Sequence, residues 1–456
     1  MWRVVLSALF LVSAAGPAFA HASGRGFVLL LPTGYVIAGG ALAVLVSFLA
    51  VSLLPHRKGN GAPEAAEEDA LRYGRGASLV SAAVVVFVII AGLLGPNDPA
   101  ENILPLTVWT LWWVLIVMLH PLFGNLWASI NPFTGLHGLL NRGAGSSRPP
   151  LAYPLGAAYW PACLIFFAFA WFQLVYPAPE DRDVLVRVVS LYLCLTLVAV
   201  FLFGPQAWLG RADPFAVFLR QLGACAPSGP DGLRWPGAGL LKLPVLPVSG
   251  VLFVLLTLSS ITFDGFANTF FWLSSIGINP LDHPGRTYLV APNTLGLIGA
   301  FLVLATAFLA AVAAGWLWAG RPSTLPGLCG RLVYSLIPIS IAYHFAHYLG
   351  DTLVNLQYLA LTLNDPLSSG ADLLGLGQFR VTASFQNTAS GALALFSAQT
   401  AAIVIGHVVG VAVAHAMVAG SSLARPAMLR LELPLTAAMV LYTAFGLWLL
   451  STPSAA

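Results

Sequence analysis

The chain has little charge. Asp, Glu, Lys and Arg make up 8% of its 456 residues, whereas apolar residues make up 58%. Soluble domains carry about 25% charged residues, so the composition is that of a protein embedded in a lipid bilayer. A separate soluble domain is not indicated, because no polar stretch is long enough to bury a core of its own. The net charge of +3 gives no nucleic-acid-binding character, and we expect no nucleic acid partner.

Cysteine is scarce, and several catalytic motifs are missing. The four cysteines form no C-x-x-C pair, so neither a disulfide framework nor a thiolate metal site is indicated. The chain has no G-x-S-x-G elbow, and it has no P-loop, G-x-G-x-x-G phosphate cradle or H-E-x-x-H zinc motif. Enzymes that depend on those motifs therefore have no support in the sequence.

Apolar runs dominate what is present. Each is long enough to cross roughly 30 Å of hydrocarbon as a helix. They predict an all-α, polytopic membrane bundle, a single transmembrane domain over residues 21–456, with about ten spans near 28–54, 77–95, 104–122, 154–176, 185–208, 246–263, 288–319, 331–362, 389–419 and 433–452.

The first twenty residues resemble a secretory signal peptide. Arg3 supplies the positive start, an apolar run follows, and Ala18-Phe19-Ala20 is an A-x-A cleavage site. Cleavage there makes His21 the first residue of the mature chain. The alternative is an uncleaved membrane anchor.

The distribution of Lys and Arg predicts the orientation. With His21 outside and the spans alternating, fourteen of the twenty Lys and Arg residues fall in loops on the inner side and five on the outer side. Cytoplasmic loops carry this excess of positive charge. We therefore expect a multi-pass protein of a bacterial inner membrane, with both ends of the mature chain on the periplasmic side.

Two of the inner loops resemble each other. One contains Asn131-Pro132-Phe133 and the other Asp213-Pro214-Phe215, each a few residues after a tryptophan. Asn or Asp before Pro is typical of a helix start, since the side chain caps free N–H groups and Pro fits the first turn. Two short amphipathic helices lying on the inner surface are predicted. Whether the loops reflect an internal repeat or chance similarity stays open.

The eighth span carries the most informative spacing. His344, His347 and Asp351 stand at i, i+3 and i+7, which places them on one face of a helix. Ionisable groups at membrane depth are costly, usually face the protein interior and mark a function. The alternative is that these histidines have a structural role, in which they are neutral and form hydrogen bonds between helices.

The ninth span adds His407 and His415. At 1.5 Å per residue, His344 and His407 lie roughly 20 Å and 18 Å from the inner ends of their antiparallel spans. We therefore expect His344, His347 and His407 to share one layer, with Asp351 nearer the outer surface and His415 nearer the inner one. For His415 a structural role is the favoured interpretation.

These ligand types suit a transition metal, with zinc or copper the cofactor that we expect. The predicted ligands are His344, His347, Asp351 and His407. His21 is a further one, because an N-terminal histidine offers both its amine and a ring nitrogen, a brace that suits copper. The alternative is that His21 only follows the cleavage site.

Asp264 ends the sixth span on the same side as Asp351. Three interpretations are open for it. It is a catalytic base or a further metal ligand, a carboxylate partner of a ligating histidine, or a helix-end residue that faces water.

Motifs spread over nearly the whole chain resemble the bacterial polytopic membrane proteins that carry the name fenitrothion hydrolase. The matching stretches are His21-Ala22 with Leu31-Pro32, Phe123-Gly124-Asn125-Leu126-Trp127, Asn131-Pro132-Phe133, Thr262-Phe263-Asp264-Gly265-Phe266, Tyr343-His344-Phe345-Ala346-His347-Tyr348, and Gly406-His407-Val408 with Ala414-His415. The resemblance implies hydrolysis of an aryl phosphotriester at the P–O bond. It brings no catalytic residues with it.

These residues are compatible with three functions. In the first, a metal held by the His/Asp cluster activates water to hydrolyse an apolar organophosphate that arrives through the bilayer. In the second, the histidines form a ladder that carries a metal ion or protons across the membrane, which requires a stepping site at His415. In the third, the chain is an assembly factor with structural histidines. The sequence identifies no partner subunit.

Overall fold

The computed structural model describes residues 33–53, 75–141, 149–229, 232–279, 285–421 and 423–453. The predicted signal peptide and His21 lie outside these ranges. The long helices, here numbered in chain order, are α1 Thr33–Leu53, α2 Arg75–Leu94, α3 Ile103–Phe123, α4 Pro132–Leu140, α5 Trp160–Leu174, α6 Arg182–Phe203, α7 Pro214–Gly223, α8 Val248–Ala267, α9 Arg286–Trp318, α10 Leu325–Asn364, α11 Ala389–Ala419 and α12 Arg425–Ser451.

Short elements connect these helices. They are the helical turns Trp127–Ile130, Leu155–Ala157, Pro205–Ala207, Trp208–Ala212, Ala238–Lys242, Phe270–Ser275 and Ser384–Asn387, and a small antiparallel hairpin of β1 Ser228–Gly229 and β2 Gly232–Leu233. Helix α10 contains a 3₁₀ turn at Val333–Leu336.

The all-α membrane bundle is confirmed. Within the described ranges, nine helices are long and apolar enough to cross a membrane, namely α1, α2, α3, α6, α8, α9, α10, α11 and α12. The predicted fourth span, 154–176, is shorter than expected. Its helix, α5, begins only at Trp160 and has 15 residues, about 22 Å at 1.5 Å per residue, because the chain before it is mostly irregular.

Helix α8 lies at the centre of the bundle. Nearly all of its residues from Ser249 to Phe263 are buried, and it packs against α5, α9, α10 and α12. A helix that is apolar all round and buried on every side is expected at the middle of a core. By contrast α1, α2 and α6 leave many large apolar side chains exposed, as lipid-facing helices do.

Most of helix α3 is not α-helical. Residues Leu106–Ile116 form a π-helix, whereas π-helical hydrogen bonding usually occurs as single turns and often at functional sites. The segment carries Trp109, Trp112 and Trp113, whose rings pack on Phe169 of α5. The unusual winding therefore sets the positions of three indoles beside α5 and α10.

Helices α10 and α11 run antiparallel at very close range. A Cβ on Gly410 would lie 2.7 Å from the carbonyl oxygen of Ser335, and one on Gly406 would overlap Ala342. Only glycine permits this approach, as the small-xxx-small pattern of Gly406 and Gly410 indicates. The histidines of the two helices are thereby fixed in mutual register.

The two Asn/Asp-Pro segments are helix starts, as predicted. The Asn131 Oδ1 atom accepts a hydrogen bond from the amide of Thr134 at 3.1 Å, and the Asp213 Oδ1 atom accepts one from Ala216 at 2.7 Å. Each segment follows a membrane helix that ends at a glycine with positive φ, Gly124 at 92° and Gly204 at 82°. Their likeness thus extends to the backbone.

The packing extends the likeness to two whole units. The first unit is α2, α3 and α4, and the second is α5, α6 and α7. Helix α4 packs on α2 of its own unit and α6 of the other, while α7 packs on α5 of its own unit and α3 of the other. These contacts interchange when the units are swapped, which is the pattern of two copies related by a two-fold rotation. An internal repeat is therefore the interpretation that the packing favours.

The predicted surface position is wrong for α7. Every residue of Pro214–Gly223 except Arg220 is buried, because α5, the end of α3 and α10 cover it. Helix α4 is buried at its start and exposed towards Leu140. This end of the bundle, where α3, α6, α9 and α11 finish, holds most of the described Lys and Arg residues and is called the basic end below.

Asp213 is fully buried beneath α7, and this burial generates a prediction. Burial raises the pKa of its carboxyl from 3.8 to about 6, although the Tyr192 hydroxyl and the amides of Ala216 and Phe215 favour the charged form. Because the folded-state pKa is the higher one, the stabilising contribution is complete below about pH 4 and is lost as the pH rises through 6.

We expect Asp213→Asn to abolish this pH dependence and to stabilise the protein at pH 7 by about 3 kcal/mol. The reason is that Asn keeps the capping oxygen and removes the buried charge. Thermal unfolding in detergent from pH 4 to 8 measures it. Asn131→Asp, at the equivalent place in the first unit, is the matched control and should create a pH dependence. A slope that persists in Asp213→Asn contradicts the prediction.

Candidate functional site

A histidine and a carboxylate meet where α10 crosses the final turn of α8. The Nε2 atom of His347 lies 3.1 Å from the Oδ2 atom of Asp264. The side chains are 29% and 14% exposed, so the pair is mostly buried but open on one side. Of the three interpretations of Asp264, the geometry matches that of a carboxylate partner of a histidine.

The Tyr348 hydroxyl is the hub of this cluster. It donates to Asp264 Oδ2 at 2.6 Å and accepts hydrogen bonds from the Gln173 side-chain amide at 2.6 Å and from the Trp113 indole at 3.3 Å. These partners come from α8, α5 and α3, while Tyr348 itself belongs to α10. One hydroxyl therefore ties four helices together around the His347–Asp264 pair.

A positive charge completes the outer rim of the cluster. The guanidinium of Arg286, at the first turn of α9, donates to the backbone carbonyl of Gln173 at 3.0 Å. The rim thus contains a cation, a carboxylate and an imidazole within one connected group.

His344 lies one helical turn before His347 on α10, towards the basic end. Its ring contacts Trp113 at 5.3 Å and Tyr348 at 4.8 Å between centroids, and the residue is 3% exposed. Its Nε2 atom is buried and has no hydrogen-bond partner in the described part of the chain. A buried ring nitrogen without a partner is unusual, and it can take a proton, a water or another ligand.

The other predicted ligands lie apart from this pair. Asp351 is exposed one helical turn beyond His347. His407 contacts Tyr343 and Tyr442, at 6.1 and 6.0 Å between ring centroids. Among the described residues, no group of three or more His, Cys, Asp or Glu side chains is arranged to hold a metal ion. The metal site therefore stays a prediction.

His407 is fully buried at mid-depth of α11. Its Nδ1 atom lies 2.8 Å from the Ile403 carbonyl oxygen and must donate, because a carbonyl only accepts. The buried Nε2 atom has no partner in the described ranges. Beside the ring, the hydroxyls of Tyr442 and Thr262 lie 2.5 Å apart, and Thr262 stands half a turn before Asp264.

A second carboxylate–imidazole pair lies nearer the basic end. The Nδ1 atom of His415 on α11 is 2.9 Å from the Oε2 atom of Glu432 on α12, and Glu432 is 4% exposed. Glu432 is not among the predicted site residues, and it stands one residue before the predicted tenth span. The signal was available, since Glu432 is the only acidic residue of α12 and has leucine on both sides.

The His347–Asp264 pair, His407 and the His415–Glu432 pair lie at three evenly spaced levels along α11. Gln399 marks the level of the His347–Asp264 pair, called the outer pair below, because its side-chain amide donates to the carbonyl of Ala346, next to His347, at 2.7 Å. His407 follows eight residues later and His415 eight residues after that. At 1.5 Å per residue, adjacent levels are about 12 Å apart and the two pairs about 24 Å.

His120 and His137 lie outside this series. His120 is fully buried, with Nδ1 2.6 Å from the Ile116 carbonyl and Nε2 accepting from the Trp127 amide at 3.0 Å. Both of its ring nitrogens have a hydrogen-bond partner, so its role is in the packing of α3 near the basic end. His137 pairs with Asn141 at 2.7 Å.

The comparisons with known proteins add no assignment. No family model matches the chain, and neither the curated proteins nor the solved structures include a match. The chemistry of the site is therefore argued from its geometry.

The Tyr348 hub generates a prediction about stability. Tyr348→Phe removes the donor to Asp264 and leaves the Gln173 and Trp113 donors without an acceptor, so we expect a loss of about 2 kcal/mol. Thermal unfolding in detergent measures it. The matched control is Tyr358→Phe on the same helix, because the Tyr358 hydroxyl makes no hydrogen bond with described residues. Equal losses in the two variants would contradict the role of Tyr348.

Proposed function

We propose that the protein transfers protons through the membrane along α10, α11 and α12. The observation that carries this proposal is the presence of two mostly buried carboxylate–imidazole pairs, one joining α8 to α10 and the other joining α11 to α12 nearer the basic end, with the buried His407 at a depth between them. Ionisable groups inside a membrane protein are costly and are typical of proton relays.

The outer pair supports proton uptake. Asp264 accepts hydrogen bonds from Tyr348 and faces His347 Nε2. The other ring nitrogen of His347 makes no hydrogen bond to described residues, and the ring is partly exposed. A proton that arrives from the outer side can bind there, and Asp264 stabilises the resulting imidazolium.

The His415–Glu432 pair, nearer the basic end, supports transfer of the proton across the whole membrane. The ladder hypothesis requires a stepping site near His415, and hydrolysis at the outer surface does not. His415 is paired with a buried carboxylate whose Oε1 atom has no partner within the described part of the chain. Such a carboxylate can take up a proton that reaches it. Apolar residues of similar volume often stabilise a protein interior as well as a buried ion pair does, so packing alone does not require this pair.

Steps of about 12 Å are too long for direct transfer, which takes place at hydrogen-bond distance. The Thr262 and Tyr442 hydroxyls lie between the outer pair and His407 and shorten the first step. Water molecules bound to buried polar groups complete the path in this proposal. Without continuous water, transfer is slow compared with an open channel.

Proton flux into proteoliposomes tests the proposal. With an internal pH dye and an applied potential, we expect the wild type to acidify vesicles faster than protein-free controls. Asp264→Asn and Glu432→Gln should each lower the rate about tenfold, since an amide cannot carry the proton and a tenfold loss is 1.4 kcal/mol in a barrier.

Glu101→Gln is the control for this experiment, because Glu101 is an exposed carboxylate outside the three levels. It should leave the flux unchanged. Flux that equals the protein-free rate, or that persists in Glu432→Gln, would refute proton transfer along this route.

Hydrolysis of an aryl phosphotriester is the second candidate. The resemblance to the fenitrothion hydrolases and the His347–Asp264 pair support it. In this mechanism Asp264 orients the imidazole, which takes a proton from water at Nδ1. The water oxygen forms a bond to phosphorus, the P–O bond to the aryl group breaks, and the proton passes to the departing aryloxide. In a metal-assisted form, the free ring nitrogen of His347 would be a ligand of zinc or copper instead of the base, and the metal would lower the pKa of the attacking water.

Release of the nitrophenol from fenitrothion, measured in detergent alongside elemental analysis, tests this second function. We expect His347→Gln to lower the rate at least a hundredfold, the usual contribution of a general base, while Glu432→Gln leaves it unchanged. About one equivalent of zinc or copper, lost in His344→Ala/His347→Ala, would support the metal-assisted form. An absence of nitrophenol release above the uncatalysed rate would exclude this substrate.

A further inference from the structure

Two buried polar atoms stand on one side of α11, and neither has a hydrogen-bond partner among the described residues. They are Oγ1 of Thr400 and Nε2 of His407. Because residues seven positions apart lie on the same face of a helix, both side chains leave α11 in the same direction. Buried polar atoms without a partner are rare, so two of them on one stripe need a common explanation.

The Thr400 hydroxyl differs from three buried hydroxyls on the neighbouring helices. Thr262, Ser340 and Thr443 each donate to the carbonyl oxygen four residues earlier in their own helices, at 2.7, 3.2 and 2.8 Å. Serine and threonine within a helix can satisfy their hydroxyls in this way. Thr400 forms no such bond, so its hydroxyl is directed towards something other than its own helix.

The His407 ring lies on the side of its own α-carbon that faces Thr400. Its Nδ1 atom donates to the Ile403 carbonyl at 2.8 Å, which draws the ring towards the N-terminal end of α11. Ile403 and Thr400 are three residues apart, or about 4.5 Å along the helix axis. A hydrogen bond between two oxygen atoms spans about 2.8 Å, so one or two water molecules match the interval between the two side chains.

The two groups are complementary in hydrogen bonding. Because Nδ1 carries the proton of the neutral ring, Nε2 of His407 accepts, whereas the Thr400 hydroxyl can donate. A water molecule does both, and buried waters typically bond to polar groups that the protein leaves unsatisfied. One bridging water, or a pair, therefore gives both atoms the partner that the described residues do not supply.

Thr400 lies at the level of the outer pair. It follows Gln399, whose side-chain amide marks that level. On the facing helix, the Tyr343 ring lies 6.1 Å from the His407 ring between centroids, and His347 stands one turn further towards the outer pair on the same face of α10. The interval between Thr400 and His407 therefore covers most of the first step of about 12 Å.

We infer that Thr400 and His407 hold one or two water molecules between them, and that this water passes protons to Nε2 of His407. The water site stands on the two unpartnered atoms, whereas its part in transfer rests on the proposed function. In each transfer the N–H bond at Nε2 forms as an O–H bond of the water breaks, and the water takes a replacement proton from the protonated outer pair. His407 returns to its neutral form when it releases the proton.

The test uses the full-length protein and three variants. Thr400→Val removes the hydroxyl and keeps the volume of the side chain, and Thr400→Ser keeps the hydroxyl. Thr257→Val is the matched control, because Thr257 is also a buried threonine of a membrane helix, 3% exposed, but its hydroxyl donates to the Val254 carbonyl of its own helix.

Thermal unfolding in detergent gives the first readout. If the Thr400 hydroxyl has no partner, removing it relieves an unsatisfied buried group and raises the midpoint temperature. If it holds water, Thr400→Val leaves both that water and Nε2 of His407 short of a hydrogen bond. We expect the midpoint of Thr400→Val to lie about 2 °C below that of Thr257→Val, and a midpoint above it would overturn the water site.

Nitrogen-15 NMR of histidine-labelled protein in lipid gives the second readout, with His407→Gln to identify the His407 signals. A neutral ring nitrogen that accepts a hydrogen bond resonates at lower frequency than one that accepts none. We therefore expect the Nε2 signal of His407 to move to higher frequency in Thr400→Val and to keep its place in Thr257→Val. An unchanged signal in Thr400→Val would mean that no water links the two side chains.

Proton flux into proteoliposomes tests the part of the water in transfer. We expect Thr400→Val to lower the wild-type rate about tenfold, a barrier higher by about 1.4 kcal/mol, and Thr400→Ser to lower it much less. Thr257→Val should leave the rate unchanged. A wild-type rate in Thr400→Val would remove this water from the path. If the wild type itself carries no flux, the proposed function and the transfer step fail together, and the unfolding and NMR readouts still decide whether the water site exists.

Discussion

The hydrogen bonds of a single hydroxyl join four helices at the end of the bundle opposite the basic end. Inside the hydrocarbon layer no water is present to form hydrogen bonds, so a buried polar group must form them with other groups of the protein. Tyr348 meets that requirement with Asp264, Gln173 and Trp113 at once. The positions of α3, α5, α8 and α10 are thereby coupled, and the orientation of the His347–Asp264 pair depends on that coupling. The π-helical winding of α3 belongs to the same arrangement, since it sets the place of Trp113.

The fold class could be predicted from hydropathy alone, because apolar runs of membrane length have few other uses. Helix starts at Asn131 and Asp213 and the close contact at Gly406 and Gly410 could also be predicted, since each depends on local chemistry. The shortness of α5 and the burial of α7 could not, because both depend on which helices surround them. The likeness of the two inner loops was visible in the sequence, but only the interchange of helix contacts favours a repeat of whole units.

The site was predicted in part, for a physical reason. Helical spacing places His344 and His347 on one stripe, but it does not say which neighbouring helix each ring meets. Three residues apart, the two rings differ enough in direction that His347 meets Asp264 while His344 meets Trp113. His407 was expected in the same layer, yet its ring lies against Tyr343 and Tyr442. Depth can be counted along a helix, whereas rotation about its axis is decided by packing.

The repeated units and the long helices divide the molecule by role. The units α2–α4 and α5–α7 interlock through the short helices at the basic end, and among the described His, Asp, Glu, Lys and Arg residues they bury only Asp213 and His120 deeply there. The four helices α8, α10, α11 and α12 hold both carboxylate–imidazole pairs.

The hydrogen bond of His407 to its own helix has a kinetic consequence. Because Nδ1 donates to the Ile403 carbonyl, only Nε2 is left to exchange protons. A single ring nitrogen must therefore both accept and release any proton. A proton that enters through Nε2 must leave through Nε2, unless the ring turns and breaks its bond to the helix. In the proposed proton transfer, each passage through His407 therefore requires a rotation of its ring, and the direction in which Nε2 faces decides to which side the proton is released.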